Sequence, residues 1–335
     1  MQWRRRLLTG VNVVANRAGL HVLSHAEYNY VVNMFLPRNG EGHPMPKAAR
    51  EYLRADHPHL DDLRRRYRNH PAAEHSQWME QNLLADLKLH EFRRDSYYIW
   101  QTRWTKPETY LLTAYYVREH DQLGLFGRLT EDGLFGATTV PFEDGYLLSR
   151  DLLDSMNEIN LVAHWLGLRR DSAVSVLDIG SGYGRLAHRL VDALPRATVV
   201  CVDAVPVSSF LCAFYVGFRG CGHRAEVVPL DQAAELLAGR EFDLVTNIHS
   251  FSECPVSAIE WWLQCLDEVK VRNLLIVPND GARLLSVEVD GTRRDFAPLL
   301  DQYGWHASRL EPTYSSEVAR RYALFPEGCF RLFSR

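Results

Sequence analysis

Val176-Leu177-Asp178-Ile179-Gly180-Ser181-Gly182-Tyr183-Gly184-Arg185-Leu186 runs from an apolar strand, through an acid, into three alternating glycines and on into a helix. Glycine is needed where the chain turns tightly and a ligand must approach the main chain without meeting a Cβ. The spacing is Gly-x-Gly-x-Gly, whereas the dinucleotide fingerprint is Gly-x-Gly-x-x-Gly. Asp178 stands two residues before the first glycine, where it would repel a pyrophosphate and suits a cationic ligand. A second acid, Asp203, closes the next apolar run, nineteen residues after Gly184, where a carboxylate can accept both hydroxyls of a ribose.

Working outward, apolar runs at 174–179, 198–203, 226–230, 242–248 and 273–278 alternate with helical patterns near 185–194, 207–217, 231–239 and 256–269. Near-continuous Val/Leu/Ile strands separated by helices mean a parallel sheet covered on both faces. The end differs: a helix near 294–303, then strands at 305–310 and 329–334 with no helix between them, which suggests an antiparallel hairpin at one edge. Upstream, Ser149 is a good N-cap for an amphipathic helix that ends near Gly167. The stretch 58–89 reads as helical, 97–116 as rich in Tyr and Trp, 124–145 as turns, and 39–46 as a loop.

A length of 335 residues gives a prior of about two domains. The chain is 46% hydrophobic and 24% charged, which excludes a disordered protein. Its 38 basic and 42 acidic residues argue against a nucleic-acid binder with a broad basic face. Ten of fourteen histidines precede residue 170 and all six cysteines follow it, so the two halves meet different demands. The cysteines show neither CxxC nor zinc spacing, which fits a reduced cytoplasmic protein. The early arginine run lacks the other parts of an export signal, and no run approaches the length of a membrane helix. The working division is a mostly helical portion over 1–147 and a second domain over 148–335.

The glycine loop together with Asp203 resembles the class I S-adenosylmethionine-dependent methyltransferases over residues 172–335. That resemblance implies an α/β, Rossmann-like sheet of seven strands in the order 3-2-1-4-5-7-6, with S-adenosylmethionine as cofactor. It places Asp178, Gly180, Ser181 and Gly182 at the methionine end, Asp203 and Ala204 at the ribose, and Asp231 at the adenine amine. Asn247 and His249 would flank the sulfonium, and Tyr183, inside the loop, would face the ligand. The segments 149–155, 158–160 and 247–253 further resemble a bacterial family of sugar O-methyltransferases. This implies methyl transfer to a hydroxyl, on a sugar of a glycan or glycosylated metabolite. A non-sugar N- or O-acceptor and a non-catalytic partner subunit are the alternatives. No Asn/Asp-Pro-Pro-Tyr/Phe signature and no paired-glutamate loop is present, which sets aside base and protein-arginine methylation.

An alcohol acceptor must lose its proton as the new bond forms, so a base near the sulfonium is required. His249 comes first, Glu253 second and Asp280 third. Asn279-Asp280 reverses the metal-binding Asp-Asn order of catechol-type enzymes, so Mg²⁺ is not favoured and no metal ligand is assigned. Arg150 and Asp154, one helical turn apart, either reach the ligands or pair with each other. Tyr97, Tyr98, Trp100, Trp104, Tyr115 and Tyr116 could form a platform for a sugar ring. Of the adjacent Trp261 and Trp262, at most one can point fully inward from a helix.

Overall fold

The structure, a computed structural model, describes residues 45–74, 78, 87–94, 98, 106–325 and 327–335. Its main sheet contains β1 (Ala173–Ile179), β2 (Arg196–Val202), β3 (Ala225–Val227), β4 (Leu244–Ile248), β5 (Asn273–Val277), β6 (His306–Pro312) and β7 (Cys329–Ser334). The order across the sheet is β3-β2-β1-β4-β5-β7-β6. The first five strands pair parallel, and β7 runs antiparallel between β5 and β6. The order implied by the glycine-loop resemblance is therefore the order found.

Ten helices are described: α1 (Lys47–Tyr52), α2 (Pro58–Tyr67), α3 (Pro107–Glu119), α4 (Arg150–Leu166), α5 (Arg185–Ala193), α6 (Pro206–Phe218), α7 (Leu230–Leu237), α8 (Val256–Asp267), α9 (Ala297–Gln302) and α10 (Glu317–Tyr322). Parallel strands need crossovers, and α5 to α8 supply them. Side chains alternate between faces along each strand. Leu177, Ile179, Val200 and Val202 pack with α2, α6, α7 and α8, while Val174, Val176, Val199 and Cys201 pack with α3, α4 and α5. The described residues before Ser149 have no core of their own, since they contribute to both of these cores.

The Ser149 helix begins and ends as its sequence indicates. Ser149 Oγ accepts from the Leu152 N–H at 3.0 Å, and Gly167 closes the helix in the left-handed region. The helical reading of 58–89 is corrected. The helix stops at Tyr67, Asn69 turns left-handed at φ 64°, and His70 before Pro71 is extended, as a residue preceding proline tends to be. Of the remainder of that stretch, 75–77 and 79–86 lie outside the described residues. The strand reading of 226–230 is shortened as well, because Pro229 caps α7 and its ring cannot donate to a ladder.

Candidate active site

The glycine loop joins β1 to α5 with Gly180, Gly182 and Gly184 all at positive φ. The N–H groups of Gly180 and Ser181 donate to the Val202 carbonyl at 2.8 and 3.3 Å, fastening the loop to the end of β2. A Cβ on Gly180 would lie 2.2 Å from Ser250 Oγ, and one on Gly182 would lie 3.1 Å from the Tyr98 ring. Glycine is thus required both for backbone conformation and for close packing.

Two buried carboxylates flank this loop. Asp178 Oδ1 accepts from Thr246 Oγ1 at 2.7 Å, and burial pushes its carboxyl up to about 6. Asp203 accepts from the Val205 N–H through Oδ1 and the Gly182 N–H through Oδ2, each at 2.8 Å. Burial outweighs these donors and pushes its carboxyl up to about 7. Ionised carboxylates without full compensation seek a cation or further donors. Both acids, with Gly180, Ser181, Gly182 and Ala204, line one cleft.

Trp78 and Tyr98 close the same cleft from the N-terminal portion. Their rings pack 4.8 Å apart, and the Tyr98 hydroxyl lies 3.2 Å from Ser208 Oγ. Trp78 falls within the stretch 58–89 read as helical, and no local signal in the sequence places it here. Trp262 lines the cleft and is buried, while Trp261 is only half-buried. Of the proposed sugar platform, Tyr98 reaches the cleft. Tyr115 and Tyr116 lie on α3 outside it, and Tyr97, Trp100 and Trp104 lie outside the described residues.

His249 and Glu253 also line the cleft, on either side of a tight turn after β4. His249 is left-handed at φ 70°, which is uncommon for a residue with a Cβ. Its Nδ1 is buried without a hydrogen-bond partner among the described residues. Desolvation, then the guanidiniums of Arg150 and Arg185, push the imidazole down to about 3, so it is neutral. Glu253 accepts from Trp78 Nε1 at 2.7 Å and Asn279 Nδ2 at 3.1 Å, and burial pushes its carboxyl up.

Other expectations meet different surroundings. Asp231 does not line the cleft, because Arg66 of α2 takes its carboxylate at 2.8 Å. Asp280 also lies outside, paired with Arg283 at 2.6 Å. Asn247 uses its side chain internally: Nδ2 donates to Ile179 O and Ser250 Oγ, and Oδ1 accepts from the Phe251 N–H. Tyr183 borders the cleft, but its hydroxyl points away and donates to Asp151 at 2.5 Å. Arg150 pairs with Asp154 at 2.9 Å, in a mostly buried setting. Arg185 is held by Glu158 through two bonds of 2.8 and 2.9 Å, a pair not anticipated from sequence. Among the described residues, no cluster of His, Cys, Asp and Glu could hold a metal ion.

The strand order and the glycine loop together define the Rossmann-like methyltransferase fold. No protein-family model matches the chain, and no curated protein matches it. Similar solved structures include a SAM-dependent methyltransferase from Aquifex aeolicus, 17% identical with a TM-score of 0.39, covering 53% of this chain and 88% of that one. Another is magnesium protoporphyrin IX methyltransferase from Synechocystis PCC 6803 with bound SAM, at 18% identity and TM-score 0.39, covering 67% and 97%. A third is 1,6-didemethyltoxoflavin-N1-methyltransferase from Burkholderia thailandensis with bound S-adenosylhomocysteine, at 17% and 0.40, covering 54% and 78%. At these values the fold assignment rests on the strand order itself.

Proposed function

We propose that the protein is an S-adenosylmethionine-dependent methyltransferase acting on a hydroxyl of a small acceptor. The observation that carries this reading is the pair of buried carboxylates, Asp178 and Asp203, flanking the left-handed glycine loop. An ammonium beside Asp178 and a ribose diol beside Asp203 would supply the compensation that the two acids lack. Bound there, S-adenosylmethionine would supply a methyl carbon already activated by sulfonium, which a correctly held nucleophile displaces in line.

The chain's own groups would then have to orient the acceptor and receive its proton. His249, neutral and with Nδ1 unpartnered among the described residues, is the first proposed receiver, and Glu253 is the second. The portion over 1–147 would cover the cleft through Trp78 and Tyr98. A sugar acceptor is supported by the sequence resemblance alone. Among the described residues no helix is long and apolar enough to cross a membrane.

Incubation with methyl-labelled cofactor and panels of hydroxyl and amine acceptors tests the reaction. Label on hydroxyl compounds is expected, and label on amines alone would refute the O-methyl assignment. His249→Ala should lower kcat by about 10²–10⁴-fold if the imidazole receives the proton, and full turnover in that variant would remove it from this role.

A further inference from the structure

Tyr183 and Arg185 flank Gly184 at the end of the glycine loop, and both are held from behind by one helix. Asp151, Ser155 and Glu158 of α4 are spaced four and three residues apart, which puts their side chains on one helix face. All three are buried. Asp151 accepts from the Tyr183 hydroxyl at 2.5 Å. Ser155 Oγ accepts from Arg185 at 2.9 Å, and Glu158 accepts from it at 2.8 and 2.9 Å. A helix stripe turned to the interior is normally apolar. Here it is a row of acceptors whose partners are the loop's own side chains.

Stability alone explains this row poorly, because desolvation offsets most of what a buried ion pair gains. A geometric role explains it better. Gly180, Gly182 and Gly184 are all left-handed, and glycine loses more conformational freedom on ordering than any other residue. Main-chain bonds to Val202 fasten the start of the loop at Gly180 and Ser181. The side chains of Tyr183 and Arg185 fasten its end, where it enters α5. Tyr183 also has neighbours from earlier in the chain. Its ring meets Phe92 at 5.1 Å and Tyr98 at 5.5 Å, and a Cβ on Gly182 would lie 3.1 Å from the Tyr98 ring. Arg93 Nε donates to Asp151 Oδ2, the same oxygen that accepts from Tyr183. One carboxylate oxygen therefore joins Arg93 to the glycine loop.

We propose that Tyr183 is a positioning residue for the cofactor: through Asp151 its hydroxyl ties the glycine loop to α4 and to Arg93. Cofactor affinity then depends on a hydroxyl that faces away from the cleft. The proposal rests on the methyltransferase reading, since it takes the loop as the cofactor's seat. A loop already held in its binding shape gives up less freedom when the ligand arrives. Arg93 and Tyr183 meet at one oxygen, so their effects on affinity are coupled and do not multiply.

The test is calorimetric titration of S-adenosylhomocysteine into the full chain, at a temperature where every variant is folded. Tyr183→Phe keeps the ring and removes the hydroxyl, and affinity should fall by about tenfold. Arg93→Lys keeps the charge but loses the guanidinium fork, and should also weaken binding. The double variant should bind within about twofold of Tyr183→Phe. Leu300→Ala, at a buried position of α9, should lower the melting temperature and leave affinity unchanged. Unchanged affinity in either single variant at the loop, or full multiplication of their effects, overturns the proposal and leaves the methyltransferase reading standing. An equal loss of affinity in Leu300→Ala overturns it too, since the effect would then be general loosening. If Arg93→Lys does not fold, Tyr183→Phe against Leu300→Ala decides. Failure of the wild type to bind S-adenosylhomocysteine would overturn the methyltransferase reading and this proposal together.

Discussion

Asp178 and Asp203 determine how the free protein should respond to pH. Their carboxyls stand at about 6 and about 7 in the fold, against about 3.9 in an unfolded chain. Between about pH 4 and 7 the folded state therefore holds protons that the unfolded state has released. For these two groups, stability rises as pH falls through that window, and thermal melts of the free protein should move upward from pH 8 to pH 5.5. Asp203→Asn should reduce that rise, and an unchanged rise in this variant would mean that Asp203 is not held as described. Asp178→Asn keeps the shape and the Thr246 partner but removes the charge, so S-adenosylhomocysteine affinity should drop by about tenfold or more at pH 7.5. That Asp178, Gly180, Gly182 and Asp203 meet at one cleft could be read from sequence, because their positions follow from backbone geometry at strand ends. Asp231 and Asp280 could not, because Arg66 and Arg283 capture them, and the Arg66 contact bridges residues 165 apart in sequence.

At the scale of elements, Trp78 donates its indole N–H to Glu253 in the turn after β4. Trp78→Phe retains a ring and removes the donor that lowers Glu253. If Glu253 takes part in proton transfer, the acidic limb of kcat/KM against pH should move to higher pH. An unmoved limb would confine Trp78 to a packing role. The start of α4 offers a separate test of stability. Ser149 Oγ caps the Leu152 N–H and donates to buried Glu131 at 2.6 Å. Ser149→Ala should cost about 2 kcal/mol by denaturant unfolding, and a loss below about 0.5 kcal/mol would contradict this assignment. Caps such as Ser149 and Gly167 are local signals and were legible. The early end of α2 is not legible, because the apolar spacing of Leu60, Leu63 and Tyr67 continues in sequence past Asn69 and Pro71, which break the backbone.

Across the molecule, a buried cluster of four charges joins residues before Ser149 to α4 and α5. Arg93 pairs with Glu131 at 2.6 Å and Asp151 at 3.1 Å, and Arg189 pairs with the same two acids at 3.0 and 2.8 Å. Tyr183 of the glycine loop donates into this cluster through Asp151. Removing one member leaves a buried charge uncompensated, so Arg93→Met should destabilise by about 3–5 kcal/mol. A change near zero in denaturant unfolding would contradict that estimate. The sheet order was legible because parallel β/α alternation leaves few arrangements. The cluster was not, since Arg93, Glu131, Asp151 and Arg189 come from four separated stretches and meet only through folding. The same holds for the partition of Trp78 and Tyr98 into the cleft. These features support the proposed reading of the cleft as a site for a ligand with an ammonium group and a diol. Calorimetric titration with S-adenosylhomocysteine near pH 6.5, in two buffers of different ionisation enthalpy, measures this most directly. Saturable binding is expected, with net proton release as Asp178 and Asp203 ionise around the ligand; no binding at near-millimolar ligand, or binding with proton uptake, would contradict it.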